Sequence, residues 1–442
     1  MGKMKLSRYI VWVESPPSFT IAACTLTGSI IQLNPIAKDD LERGDPENLK
    51  DLTSEQFEQC IEMGFLVPYN LEEQNYLAHF MHKDRLSPEA LTTYIAFSTA
   101  CNFDCIYCFE QGQTNYKAMS QKQIKQLLVW YKRKLEQGKF KICSVDLFGG
   151  EPILTLKTIL IFLTGLKEIT NSIGIQLKVR LITNGYFLTR QVIEKLYPFG
   201  LYAIHTTIDG LKQLHNQRRF LKKTKKGTFD VVFNNLLEAT KIELPFDIVC
   251  RISFDRSNIH DIPSLLDLIK EKDLIGRIDP YFGCITQTTL QTRNSESFCS
   301  QHVLEEKEIA NSYIYLYTES YKRGFTIPDF FSFGPCMIVA EGGVVIAPNG
   351  DIFKCLDMIG IDELIVGNIV EPQERPVYYD FMQAPQLQQC VKTDCPFVPV
   401  CGGGCIMESY LKTGDYTQLI CHRNILEKIY AALLPLKYYS EV

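Results

Sequence analysis

The sequence predicts an α/β protein: a partial (β/α)6 parallel barrel, with a small α+β module before it and a cysteine-rich region after it. Three observations point there. Six apolar runs alternate with helical periods between about residues 92 and 285, the pattern of βαβ units around a parallel sheet. Six strands fall short of the eight that close a full barrel. The chain holds 16 cysteines, and seven of them crowd between Cys336 and Cys421.

A chain of 442 residues exceeds one ordinary core and asks for two or three domains. The pattern divides it at 1–90, 91–300, 301–333 and 334–442. In the first stretch YIVWV and GSIIQL read as strands separated by turn residues. LTSEQFEQCIEMGFLV offers Thr53 and Gln56 as a capping box, then a helix, a stop at Gly64 and a short apolar strand. A β-hairpin followed by helices outlines a winged-helix module, and equally a plain N-terminal decoration. In the second stretch the strands are TYIAFST (93–99), CSVDLFGG (143–150), VRLITNG (179–185), YAIHTTIDG (202–210), FDIVCRISFD (246–255) and RIDPYFGCI (277–285). Helical periods such as 120–138 and 155–172 run between them. The third stretch is linker and helix, and the fourth is rich in cysteine and glycine and weakly periodic.

The hydrophobic fraction of 46% and charged fraction of 22% are those of a soluble globular protein. A net charge of −5 speaks against nucleic acid or a membrane as the main partner. The basic run RRFLKKTKK (218–226) reads as a solvated loop. The segment MGKMKLSRYIVWVESPP lacks an uninterrupted apolar core and a small-residue cleavage site, and Leu6 breaks the myristoylation pattern. No apolar stretch is long enough to span a bilayer. A cytoplasmic location is expected, where so many cysteines suit metal ligation or thiol chemistry better than disulfides.

CNFDCIYC places Cys101, Cys105 and Cys108 directly after the first barrel strand, the end at which parallel α/β folds carry their chemistry. A structural zinc closes its shell with four ligands. Three thiolates leave a position open, and an iron–sulfur cube held by three cysteines keeps one iron free for another ligand. A zinc site with a distant fourth ligand is the other reading of these residues.

The spacing Cys-x3-Cys-x-aromatic-Cys, with Tyr107 in the aromatic slot, resembles the signature of the radical S-adenosylmethionine (SAM) enzymes. The resemblance implies that SAM chelates the free iron of a 4Fe–4S cluster and that one electron splits its sulfonium bond. The 5′-deoxyadenosyl radical so formed takes hydrogen from the substrate. The likeness continues in order along the chain. LFGGEP (147–152) resembles the family's Gly-Gly-Glu motif: Gly149 and Gly150 are expected to let backbone approach the cofactor, and Glu151 to meet the SAM amino group. TNG (183–185) offers Asn184 to the ribose or methionyl part, TIDG (207–210) offers Asp209, and HNQRR (215–219) offers Arg219 to the SAM carboxylate. Turn, cap or surface-pair roles are the alternative for Asn184, Asp209 and Arg219.

Further on, Cys336, the Gly-x4-Cys of PNGDIFKC, the run CVKTDCPFVPVCGGGC and Cys421 resemble a SPASM domain. That implies two auxiliary 4Fe–4S clusters, one on Cys336, Cys355 and Cys405 and one on Cys395, Cys401 and Cys421. The pattern departs from the family at one place. Lys392 stands where a cysteine belongs, and Cys390, two residues earlier, is expected to serve as ligand instead. The fourth ligand of the first auxiliary cluster is Cys284, Cys299 or an open position for substrate. Apart from the upstream core, these cysteines would suit a zinc-binding array as well.

SPASM-bearing radical SAM enzymes mostly modify peptides and proteins. The resemblance therefore implies maturation of a ribosomally made precursor peptide, by crosslink, epimerisation or backbone excision. It also implies a leader peptide bound to the N-terminal module as an added strand, and an electron donor of flavodoxin or ferredoxin type. An anaerobic sulfatase-maturating (formylglycine-generating) enzyme is one alternative, although Leu356 stands where that group has its aspartate and Asp357 comes one later. A non-catalytic metal-binding peptide scaffold is another. No catalytic residue is assigned; Asp357, Cys284 and Tyr281 are candidates by position alone.

Overall fold

The computed structural model describes residues 3–15, 19–86, 88–108, 110, 118–286, 302–328, 336–371 and 373–441; Cys299 lies outside them. The chain forms two compact units, one of residues 1–84, 306–336 and 384–442, the other of residues 85–305 and 337–383. The cysteine-rich stretch contributes to both.

The first unit opens with β1 (Met4–Leu6), β2 (Ile10–Ser15), β3 (Phe19–Cys24), β4 (Ile30–Leu33) and β5 (Leu66–Pro68). β1 pairs antiparallel with β5, and β2, β3 and β4 form an antiparallel sheet with β3 in the middle. From sequence only the outer two strands of that sheet are visible. β3 reads FTIAAC and is buried from Thr20 to Cys24, so it lacks the alternation that marks a half-exposed strand. The helix Ser54–Glu62 starts at the expected capping box, with Gln56 N–H on Thr53 Oγ1 at 3.2 Å and Thr53 N–H on Gln56 Oε1 at 2.9 Å. Phe57 and Cys60 of that helix pack with Ala22, Cys24 and Leu41 on one side of the sheet. On the other side Val13, Ile21 and Ala23 pack with Phe397, Tyr430 and Leu434. The last two belong to the helix Arg423–Glu441, so the N-terminal sheet is covered on both faces, each by its own hydrophobic cluster, within one unit.

The second unit carries the six expected parallel strands: β6 (Ala90–Ala96), β7 (Ile142–Phe148), β8 (Gln176–Ile182), β9 (Leu201–Thr207), β10 (Asp247–Phe254) and β11 (Asp279–Cys284). They run side by side from β6 to β11. Beyond β6 the sheet is extended by β12 (Gly343–Ile346), parallel to it, then by β13 (Asp351–Phe353) and β14 (Gly367–Asn368), both antiparallel. β11 and β14 are its edges, so the described barrel is a partial one. The helices Gln121–Gln137 and Leu156–Ser172 cover the apolar face, where Tyr131 and Phe162 meet at 5.5 Å. The opposite pleat is polar: register sets Tyr94, Asp146 and Arg180 side by side on β6, β7 and β8.

Candidate active site

The loop after β6 carries Cys101, Cys105 and Cys108, and residues 218–222 brace it. Asp104 N–H donates to the Phe220 carbonyl at 2.9 Å, Ile106 N–H to Arg218 at 3.1 Å, and Lys222 N–H to Asn102 at 2.8 Å. Phe103 adds a bridge to Leu221 and is buried edge-on against Tyr186, with the Arg219 guanidinium 5.6 Å above its ring. This corrects one sequence expectation. Residues 222–226 of the basic run are exposed as expected of a solvated loop, but Arg218 and Arg219 are buried, because they turn inward onto partners in the site. Burial pushes the Cys101 thiol up to about 12 and raises Cys105 and Cys108 too. Such thiols ionise when a metal claims them.

A ring of paired charges lies beside the loop. The Tyr107 hydroxyl donates to Asp209 Oδ2 at 2.6 Å and accepts from Arg219 Nη1 at 2.8 Å. Arg218 Nε donates to Asp209 Oδ2 at 3.3 Å, and its Nη1 to Asp255 Oδ2 at 2.7 Å. Asp209, Arg218, Arg219 and Asp255 are all buried, two anions against two cations, which is how buried charge is tolerated. Sequence reasoning named Tyr107, Asp209 and Arg219 but missed Arg218 and Asp255. Asp255 had a usable signal, since it stands at the carboxyl end of a core strand.

Glu151 has partners of its own. Its carboxylate accepts from Ile153 N–H at 3.0 Å, from the Thr183 hydroxyl at 2.8 and 2.9 Å, and from Asn184 N–H at 2.8 Å. It thus caps the turn after β7 and ties it to the turn after β8. A Cβ on Gly149, at φ +119°, would sit 2.5 Å from the Ser98 carbonyl oxygen, and one on Gly150 would sit 2.4 Å from that of Ala100. The close approach these glycines permit is to the backbone of the cysteine loop. The Asn184 side chain donates to Asn102 Oδ1 at 2.8 Å and reaches Cys101 Sγ at 3.7 Å. Half-buried Glu110, which sequence reasoning also missed, faces the same place, and burial with Glu151 nearby pushes its carboxyl up to about 8.

Among the described residues, buried Asn102 Nδ2, Asp209 Oδ1, Arg218 Nη2 and Arg219 Nε find no hydrogen-bond partner. Unpaired buried donors and acceptors are costly, and here both kinds surround three thiols. This donor set fits an iron–sulfur cluster with a ligand that carries amino, carboxylate and hydroxyl groups.

Deeper on the polar pleat, Arg180 pairs with Asp146 through Nε at 3.0 Å and donates to the Tyr94 hydroxyl at 2.8 Å. Burial, Arg180 and Arg251 hold His205 down at about 4. The three positional candidates converge on Arg251. Its Cζ lies 6.0 Å from the centre of the Tyr281 ring. Burial pushes Asp357 up to about 6 while Arg251 opposes it. Burial takes the Cys284 thiol up to about 12, again against Arg251.

In the first unit Cys390, Cys395, Cys401 and Cys421 line one pocket. Burial, with the other three thiols close by, pushes Cys390 up to about 11. Packing brings the displaced cysteine there. Cys390 lies in the last turn of the helix Pro385–Val391, and a Cβ on Gly403 would sit 2.7 Å from Leu387 N, so the CGGGC turn lies directly against that helix. Cys405 Sγ accepts from Glu408 N–H at 3.4 Å and feels Cys336. Cys355 belongs to the other unit, just after β13. Among the described residues no group of three or more His, Cys, Asp or Glu is set to hold a single metal ion; a cube instead takes one thiolate on each iron.

Residues 95–269 match the model of the Radical SAM superfamily. Together with the braced three-thiol loop they mark this segment as a radical SAM domain, which implies a 4Fe–4S cluster and SAM. Particular likenesses follow from the fold. The structure is similar to anSMEcpe with bound AdoMet and Cp18Cys peptide, with a TM-score of 0.61 and 20% identity, covering 80% of this chain and 99% of that one. It is similar to SuiB of Streptococcus suis bound to the precursor peptide SuiA, with a TM-score of 0.51 and 15% identity, covering 94% and 98%. By sequence it is 25% identical to the Fe-coproporphyrin III synthase of Methanosarcina barkeri over 179 residues, 39% of each chain. It is 26% identical to the GTP 3′,8-cyclase of Campylobacter jejuni subsp. doylei over 179 residues, 40% of this chain and 52% of that protein. The chain thus spans about half of these curated relatives or less. Among the described residues no helix is long and apolar enough to cross a membrane.

Proposed function

We propose that the protein is a radical SAM maturase of a ribosomally made precursor peptide. The observation that carries the chemistry is the set of unpaired buried donors and acceptors around Cys101, Cys105 and Cys108. In this reading the three thiolates hold the cluster, the free Nε of Arg219 takes the SAM carboxylate, and Asn184 and Asp209 meet its polar groups. Tyr107 fixes the Arg219 fork, and Gly149, Gly150 and Glu151 hold the loop in place. When bound, the cluster and SAM supply one electron and a carbon radical able to take hydrogen from the peptide. The protein's own work is positional: it keeps the charged ring paired and the loop rigid. Cys390, Cys395, Cys401 and Cys421 take one auxiliary cluster, and Cys336, Cys355 and Cys405 another. The N-terminal module binds the leader, and a flavodoxin or ferredoxin type protein delivers electrons.

A peptide substrate is supported by reach. The relatives named for small molecules align over 39% to 66% of this chain, whereas the structures with bound peptides align over 80% and 94% of it. The test is anaerobic incubation of the reconstituted enzyme with SAM, reductant and the short peptides encoded beside its gene, read by mass spectrometry. A defined mass change in one peptide is expected. Steady 5′-deoxyadenosine formation with every such peptide left intact would turn the reading toward a small-molecule substrate.

A further inference from the structure

We infer that Arg251 seats a carboxylate of the substrate, either an aspartate or glutamate side chain or a chain terminus, on the polar pleat beneath the cysteine loop. This rests on the peptide reading above and deepens it.

Three other arginines of the site and the pleat are already engaged. Arg180 pairs with Asp146, and Arg218 lies between Asp209 and Asp255. Arg219 holds Tyr107 and keeps a free Nε for SAM. Arg251 is half-buried, and its hydrogen bond among the described residues is a long one, Nε to Ser253 Oγ at 3.4 Å. Asp357 is near enough to feel its charge, yet no ion pair joins them among the described residues. A cation partly removed from water with no anion in contact is an incomplete arrangement.

The seat is built for a guanidinium. A Cβ on Gly283 of β11 would lie 2.6 Å from Arg251 Nη2, 2.7 Å from Cζ and 2.8 Å from Nε. That glycine serves space rather than backbone conformation, and it lets the fork lie flat across the strand. Tyr281, directly opposite Arg251 in the register, presents its ring to the same group. The position is also fixed in depth. Ile208 N–H donates to the Arg251 carbonyl at 3.0 Å, one residue before Asp209 of the charged ring. A flat fork backed by an aromatic ring is suited to bidentate carboxylate binding, and a lysine would not need the glycine.

The test uses the reconstituted holoenzyme with SAM, and three probes: acetyl-Gly-Asp-Gly-amide, acetyl-Gly-Asn-Gly-amide, and acetyl-Gly-Gly-Gly with a free carboxyl end. Binding is read by saturation-transfer NMR, without turnover. At least one carboxylate probe is expected to bind about tenfold or more tightly than the asparagine probe. Whichever of the two binds better identifies side chain or terminus as the source. Arg251→Gln is expected to erase the preference, and Arg251→Lys and Gly283→Ala to keep only part of it, with SAM binding unchanged in all three. Equal binding of all probes, or a preference that survives Arg251→Gln, overturns the assignment. So does loss of SAM affinity in Arg251→Gln, which would place the residue in the SAM site. Failure of the maturase reading shows separately, in the peptide mass assay.

Discussion

The two cysteine sites differ in what surrounds the sulfur. Cys101, Cys105 and Cys108 sit in a strand-end loop bordered by buried charge, with four polar atoms unpaired among the described residues. Cys390, Cys395, Cys401 and Cys421 line a pocket whose other walls are mostly apolar, with Phe397, Val398, Leu419, Ile420 and Leu426 beside His422 and Arg423. The first arrangement offers three thiols and a polar rim, so it calls for a further ligand with hydrogen-bonding groups of its own. The second offers four thiols and mostly apolar walls, so it is suited to close on its contents. The difference teaches that thiol count and rim polarity vary together: an open site needs a rim able to hold the incoming ligand, and a closed one needs shelter from water.

The widest predicted gap between the sites is in chemistry. Replacing Cys101, Cys105 and Cys108 by Ala is expected to abolish 5′-deoxyadenosine and to lower bound iron from about twelve to about eight per chain. Product formation by the triple variant would mean that the three-thiol loop is not the SAM site. Next comes stability. Arg218→Leu strands Asp209 and Asp255 without their cation, which is expected to cost about 3–5 kcal/mol in denaturant unfolding. A loss under about 1 kcal/mol would show that the charged ring is not what braces the loop. Cys390→Ala sharpens the comparison from the other side. It is expected to remove about four irons while SAM cleavage without peptide continues. Unchanged iron content would mean that the pocket closes on three thiols, like the loop it is contrasted with.

Much of this was legible in the sequence because it is periodic or local. The six core strands stand out as apolar runs of strand length, and they appear in the expected order. The three thiols and Tyr107 are fixed within eight residues of one another. What stayed hidden depends on register or on packing between distant segments. Arg218 and Arg219 are adjacent in HNQRR, and only the fold sends one to Asp255 and the other to Tyr107. Arg251 looks like any polar residue of an alternating strand until Gly283 and Tyr281 come up beside it. Cys390 was visible as a departure in spacing, but its arrival among the other thiols depends on Gly403 lying against the helix before it. The split of residues 334–442 between two units is likewise set by contacts far apart in sequence, with β12 joining β6 and the last helix joining the N-terminal sheet.

The smallest effect separates the sites by pH. His215 is buried behind the charged ring, with Nε2 3.0 Å from Thr228 Oγ1. Burial, with Arg219 next in weight, lowers it from 6.5 to about 3. The unfolded chain therefore takes up a proton near pH 6.5 that the folded chain refuses until near pH 3. His215 thus adds nothing to the pH dependence above about 6.5, and the folded state loses stability as pH falls below that, by at most about 1.4 kcal/mol per unit. His205, held down at about 4, adds a second contribution of the same sign. In the other unit His422 is raised by its hydrogen bond to Glu408, so it favours folding as pH falls and is lost as pH rises. Urea unfolding at pH 7.5 and 5.5 should then show a drop about 1 kcal/mol smaller in His215→Asn than in the parent. An identical drop in both would mean that the histidine is protonated in the folded chain, and that the ring beside the cysteine loop holds one more positive charge than its geometry implies.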